Sequence, residues 1–592
     1  MILAVSAKLR VPELMISTLI AVIISLPTLY ILQHWIKYPL YTFEVIFIVL
    51  LAMNHTQCHD VPFKVYSNIP IRFFDYLFIT SSLSLFLLTL CGVYTPANIV
   101  LAIVVSSFLP GYVLLRLMTI YHLHSCLEIP VLSFVLSLPL TTFISSLLPP
   151  ITGKASIICF IYVFFSILPI VKNKLNKKRR LLIDKKFLPT HRLSNALLLV
   201  LIIVFFGFSI YTLYPQSTYL PNLDIIRHYS SAHMANIAPE FFISPYPWFH
   251  FLEATIDMTS HSPRTVFQTS LTYVSIIVVL SFYVMANIYL KKIDDRLPIT
   301  ATAFWSLFSG FGWISLLKEK LVQPNLSQLD LLSSACSRSC GDISYGIGTN
   351  LWLWFLPMTM SFTIFFMLIY LLKRMDISKR RFIIIFSPLI TALFFFHVSE
   401  LVMFVILLVV LAVFRPKVEF RLSDALLSTL IGLIGVIPCI LFYSKVGVYV
   451  SLPHYLISIL IAITAFAYFF ICHEWRGLHP RGGWKISGII VAFLTIIFIG
   501  GFFAWLSSDF SMKYVSGVWL IPWLLYPVRL GIVGLFGLMG VIAIGKRYRD
   551  NAVVLFVYLL FSALIVGRIV SIVNLNFFNT RYTEWRFLFF IF

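Results

Sequence analysis

The sequence predicts an all-α polytopic membrane protein of about 17 to 18 transmembrane helices, on three grounds. Hydrophobic residues make up 60% of the 592-residue chain and only 11% are charged, whereas a soluble domain carries about 25% charged residues. Mean hydropathy is +0.95, and apolar stretches long enough to cross a hydrocarbon core of about 30 Å recur from end to end. Helices are the economical way through that core, because a strand edge facing lipid leaves backbone groups unpaired.

In order, the apolar stretches place spans near 12–33, 40–54, 74–93, 97–118, 127–149, 155–171, 196–214, 266–290, 299–317, 351–372, 382–397, 399–414, 424–444, 454–472, 486–506, 523–545 and 553–572. Met1 to Arg10 is short and leads straight into the first span, as expected of an uncleaved first helix. Only Arg586 to Phe592 follow the last external loop, as if a further span begins and stops.

The formal charge of +21 does not point to nucleic acid. Its Lys and Arg residues lie in short connecting loops, where they act as orientation signals. The loop holding Lys172, Lys174, Lys177, Lys178, Arg179, Arg180, Lys185 and Lys186 is the strongest cytoplasmic marker. Counting spans onward from it puts Lys291-Lys292, Lys373 to Arg381, Arg415 to Arg421, Arg476 to Lys485 and Lys546 to Arg549 on the same side. The N-terminus is then cytoplasmic, and 215–265, 318–350, 507–522 and 573–585 are external. The chain divides at the basic loop into an N-terminal transmembrane bundle, 1–171, a cytoplasmic linker, 172–195, and a C-terminal bundle, 196–592.

The eight cysteines form no disulfide framework. Cys91, Cys159 and Cys439 sit in apolar segments, where a thiol is a small filler; Cys336 and Cys340 could close a local disulfide in an external loop. His55, Cys58, His59 and Asp60, and again His122, His124 and Cys126, lack the spacing of a four-ligand zinc site. No phosphate-binding glycine motif appears, which removes nucleotide-driven transport and dinucleotide chemistry.

Chemistry is expected in the first long external loop. Asp224, Arg227 and His228 are spaced by three and four and share one face if the segment is helical. A carboxylate at the membrane boundary can take a proton from a hydroxyl, and a neighbouring Arg or His can bind phosphate; equally, Asp and Arg could simply pair on an interfacial helix. Glu240, His233 and the run Pro245-Tyr246-Pro247-Trp248-Phe249-His250-Phe251-Leu252-Glu253 follow. Two prolines fix a turn there, and the rings suit an aromatic belt at headgroup depth. His397 and Glu400 lie between two spans, either as a functional pair at membrane depth or as a helix-turn cap.

Asp224-x-x-x-His228 directly after a helix, with Tyr246-Pro247-x-x-His250 in the same loop, resembles the pattern of prokaryotic membrane glycosyltransferases of the GT-C class. Gly310-Phe311-Gly312-Trp313, Trp352 to Pro357, and Phe396-His397-Val398-Ser399-Glu400 are similar to later parts of such enzymes. So are Pro522-Trp523, Tyr526-Pro527-x-Arg529 and Arg581-Tyr582-Thr583-Glu584-Trp585-Arg586. Phe108-Leu109-Pro110-Gly111-Tyr112 through Leu127-Glu128 resembles an accessory membrane domain of some relatives.

The resemblance implies a GT-C-like C-terminal bundle with long external loops and Asp224 as general base on an acceptor hydroxyl. It implies a sugar donor carried on a polyprenyl phosphate, a glycan, lipid or protein acceptor, and an extracytoplasmic site in a cell membrane. Arg227, His228, Glu240, Trp248, His250, His397 and Glu400 would then bind substrate, and Arg529, Arg581 and Arg586 would meet the lipid phosphate. The resemblance implies no certain cofactor, with a divalent cation as the one possible addition. Many members carry two adjacent acidic residues where this chain has Asp224-Ile225, so a divalent cation finds few oxygen ligands; Asp342 is either a second carboxylate or a solvated loop residue. The alternative functions are a transporter or flippase of lipid-linked or polar solutes, against which the nearly charge-free midplanes argue, and a non-catalytic scaffold.

Overall fold

The computed structural model describes residues 71–118, 127–148, 153–175, 198–203, 223–237, 246–260, 263–291, 294–307, 325, 357–414 and 420–445. These residues are helical throughout their regular structure, with no strand among them. The spans expected at 12–33, 40–54, 454–472, 486–506, 523–545 and 553–572 lie outside the described residues, as do the two His/Cys clusters and the Cys336–Cys340 pair.

The helices are α1 (Ile71–Leu90), α2 (Pro96–Leu117), α3 (Glu128–Leu147), α4 (Lys154–Leu175), α5 (Leu223–Ile237), α6 (Pro247–Ser260), α7 (Pro263–Leu290), α8 (Leu297–Leu307), α9 (Pro357–Leu372), α10 (Lys379–Phe396), α11 (Val398–Phe414) and α12 (Leu422–Lys445). Four of them, over Pro96–Leu117, Glu128–Leu147, Lys154–Lys172 and Leu422–Leu441, are long and apolar enough to cross a membrane. Shorter apolar helices run over Phe74–Leu90, Ile276–Leu290, Pro357–Leu372 and Glu400–Ala412.

Sequence decides which helix is central. α9 is apolar on every side, and Met360, Phe362, Ile364, Met367, Leu368, Tyr370 and Leu371 are all buried, as expected of a helix with no polar stripe. α4 instead leaves Ile157, Phe160, Phe164, Ile167 and Val171 exposed. Their spacing of three and four makes one continuous apolar stripe, the face of a helix at the rim of a bundle in lipid.

Two crossings are unusually close. A Cβ on Gly111 of α2 would lie 2.0 Å from the Ser133 carbonyl oxygen of α3, and one on Gly432 of α12 would lie 2.6 Å from that of Ser387 on α10. Only a hydrogen fits there, and backbone approach of this kind is how helices gain packing in lipid. Pro110 has no N–H to give to the Ser106 carbonyl one turn back. The Thr141 hydroxyl of α3 donates to that carbonyl at 2.5 Å, so the neighbouring helix supplies the missing bond. Ser137 Oγ accepts the Gly111 N–H at 2.8 Å.

Charge collects at one end of the bundle. Arg374, between α9 and α10, donates to Glu128 at the start of α3 at 3.3 Å and to Asp376 at 2.5 Å. Arg421 Nε donates to Asp424 at 2.9 Å, and its guanidinium lies 4.5 Å from the Phe382 ring centre. Asp75 of α1 is held by Arg116 at 2.8 Å and by the Tyr112 hydroxyl at 2.8 Å, all buried. Lys172 caps the carbonyls that end α2, reaching that of Leu117, which have no intrahelical donor. Helices on both sides of the basic linker thus pack together: Arg374 joins α3, and α6 lies against α2 and α3.

Candidate functional site

At the opposite end of α3 three segments distant in sequence meet. The first is α5. It begins at Leu223, so Asp224 stands in its first turn, where peptide dipoles favour a carboxylate. The helical register places Asp224, Arg227 and His228 at the expected spacing. Arg227 is exposed and His228 buried.

The second segment is α6. Pro247 occupies its first position, where a missing N–H costs nothing. The run after it is not an aromatic belt: Trp248, Phe249, His250 and Phe251 are buried at 2%, 0%, 1% and 6% exposure. The rings expected to face outward in a belt are instead enclosed by protein, on a helix packed against α2, α3, α5 and α10. Helical rather than extended geometry also puts His250, Glu253 and Asp257 along one row, and all three are buried.

The third segment is the joint between α10 and α11, where His397 alone separates Phe396 from Val398. Its backbone is extended and its N–H bonds the Leu393 carbonyl at 2.9 Å. Glu400 lies in the first turn of α11, fully buried, with His397 Nδ1 against its Oε2.

The segments interlock through rings. His228 Nδ1 and His250 Nε2 are 2.8 Å apart, so one imidazole donates and the other accepts. Tyr246 packs between the histidines, its ring 5.7 Å from His228 and stacked at 5.3 Å on His397. Farther along α5, His233 stacks on Tyr229 at 6.1 Å and approaches Asp257 at 3.6 Å. Asn236 Nδ2 donates to the Ala254 carbonyl at 2.9 Å and so ties α5 to α6.

His250 lies outside the apolar spans. Burial first, and the neighbouring His228 second, hold its imidazole well below the usual range, so it stays neutral and can pass or accept a hydrogen bond without becoming an ion. A neutral His250 paired with a second imidazole is suited to orienting hydroxyl groups and moving a proton.

Of the expected site residues, the structure brings His228, Trp248, His250, His397 and Glu400 into one cluster and places Asp224 one turn before His228. Arg227 stands on the exposed side of α5. Glu240, Arg529, Arg581 and Arg586 lie outside the described residues. Trp248 is enclosed, its indole N–H donating to the Tyr443 hydroxyl of α12 at 2.7 Å. Among the described residues no group of three or more His, Cys, Asp or Glu is arranged to hold a metal ion. Asp257 and Tyr443 were not expected: the first is legible once residues 247–260 are taken as a helix, and the second has no local signal, being 195 residues from Trp248. The chain matches no protein-family model, no curated protein and no solved structure.

Proposed function

We propose that this chain is a membrane glycosyltransferase of the GT-C kind, moving a sugar from a polyprenyl-phosphate donor to an acceptor hydroxyl on the extracytoplasmic face. One observation carries the reading. Asp224 with His228, His250 with Tyr246, and His397 with Glu400, which lie far apart in sequence, gather at one end of the bundle, opposite the arginine-rich end. Positive connectors favour the cytoplasm, which leaves the histidine end outside, where a lipid-linked sugar rather than a nucleotide sugar is the donor.

In this reading the acceptor oxygen attacks the anomeric carbon as the carbon–oxygen bond to phosphate breaks. Asp224 takes the hydroxyl proton, and polyprenyl phosphate leaves with the bonding electrons. The exposed Arg227 is placed to meet the phosphate charge, with Arg529, Arg581 and Arg586 as further phosphate partners. The buried histidines and Glu400 hold sugar hydroxyls or brace the residues that do. The membrane count of 17 to 18 spans and the N-terminal cytoplasmic end belong to the same proposal.

The test is sugar transfer from radiolabelled polyprenyl-phosphate monosaccharides by the purified protein in lipid nanodiscs, comparing wild type with Asp224→Asn. Turnover present in the first and lost in the second, with both folded, supports the assignment. Absence of turnover in both folded proteins moves the reading to transport or scaffolding.

A further inference from the structure

Trp248 was expected at the substrate, yet it is enclosed by protein on several sides. Its ring stacks on Phe395 at 4.9 Å and meets Phe396 edge-on at 6.3 Å. Those two residues end α10 immediately before His397. Its N–H donates to Tyr443 of α12. Tyr443 is itself buried, stacked on Phe251 at 5.8 Å and edge-on to Phe395 at 5.7 Å. α6, which carries Trp248, also packs against α2 and α3 of the N-terminal bundle.

These contacts sit between the two polar pairs. Trp248 is two residues from His250, and Phe396 is adjacent to His397. Any shift of α6 against α10 therefore changes the distance between the His228–His250 pair and the His397–Glu400 pair. Stacking alone leaves aromatic rings free to slide, since offset geometries differ little in energy. A single buried N–H to O bond fixes one position along that slide, because breaking it strands a polar atom in an apolar wall.

We propose that Trp248 and Tyr443 are positioning residues that set the register between the two histidine pairs. The N-terminal bundle then acts on the site as its fixed wall through the packing of α6 on α2 and α3. The inference rests on the transferase reading for its kinetic consequence but not for its geometric one.

The deciding variant is Tyr443→Phe, which removes one oxygen and keeps the ring on Phe251 and Phe395. Trp248→Phe removes the donor, and the double variant tests whether the two act as a unit. In nanodiscs, kcat for sugar transfer is expected to fall about tenfold in each single variant, because small misplacements of reacting groups carry costs of that order or more. KM for the lipid donor is expected to stay within about twofold, and the double variant to be no worse than the poorer single one. In parallel, diethylpyrocarbonate modification mapped by mass spectrometry should show His250 and His397 protected in wild type and labelled several times faster in Tyr443→Phe, at a melting temperature close to that of wild type.

Unchanged kcat together with unchanged histidine protection would overturn the proposal, as would a strictly multiplicative double variant. If wild type transfers no sugar while Tyr443→Phe still unprotects the histidines, the positioning role stands and the transferase reading falls.

Discussion

The two ends of the bundle are built from different polar chemistry. At one, Arg374, Arg421 and Arg116 each lock a carboxylate within salt-bridge distance. At the other, the buried polar groups are imidazoles, tyrosines and carboxylates, with His250 held neutral. Guanidinium–carboxylate locks are rigid and stay charged at every physiological pH. Imidazoles can change role with a single proton. The first kind of end secures helices to one another; the second kind is where a reaction can be run. α3 belongs to both, with Glu128 in the arginine lock and its length packed against α6.

This contrast can be broken or sharpened by experiment. The largest effect is expected from Asp224→Asn: initial rates of transfer fall about a thousandfold, in the range for removing a general base, while melting temperature is unchanged. A variant that melts early instead would make Asp224 a structural cap and move chemistry elsewhere. Next, Arg374→Ala leaves the Glu128 carboxylate in a mostly buried place, its side chain 14% exposed. It should lower stability by about 3 kcal/mol in denaturant titrations. Turnover per folded molecule should hold, and its loss would mean the two ends are not separable.

Smaller again is Gly111→Ala, which must push α2 from α3 against a backbone oxygen, at a cost of about 2 kcal/mol. The smallest effect is a pH slope. His250 is held below the ordinary imidazole value of 6.5 in the folded chain, so the unfolded chain takes up the proton first. Stability is complete above about pH 6.5 and declines as pH falls below it, by up to about 1.4 kcal/mol per pH unit. Melting curves at about pH 7.5 and 5.5 should show this in wild type and a shallower slope in His250→Gln.

Much of the fold is legible in hydropathy because lipid imposes a minimum run length. The expected spans at 97–118, 127–149 and 155–171 correspond to the candidate spans Pro96–Leu117, Glu128–Leu147 and Lys154–Lys172. The loop helices were harder. Residues 223–237 carry a helical spacing of Asp224 and His228, and that spacing is what the structure contains. Residues 247–260 begin with proline and four consecutive aromatic or histidine side chains. A buried helix and a headgroup belt have the same local composition, and only the surrounding helices decide between them. The pairing of His228 with His250 was within reach as two members of one loop. The approach of His397 to Tyr246, and of Tyr443 to Trp248, depends on how helices cross, and crossing is set by contacts such as Gly432 on Ser387 that leave no periodic trace.

The bond between Glu128 and Arg374 spans 246 residues of chain. At a synthesis rate of about 5–20 residues per second, on the order of ten to fifty seconds separate the two from one another on the ribosome. Throughout that interval α3 is already made, and its Glu128 carboxylate has yet to meet the Arg374 guanidinium. Assembly is thus timed by translation: the N-terminal helices can insert early, but they become a finished surface only when the turn after α9 arrives.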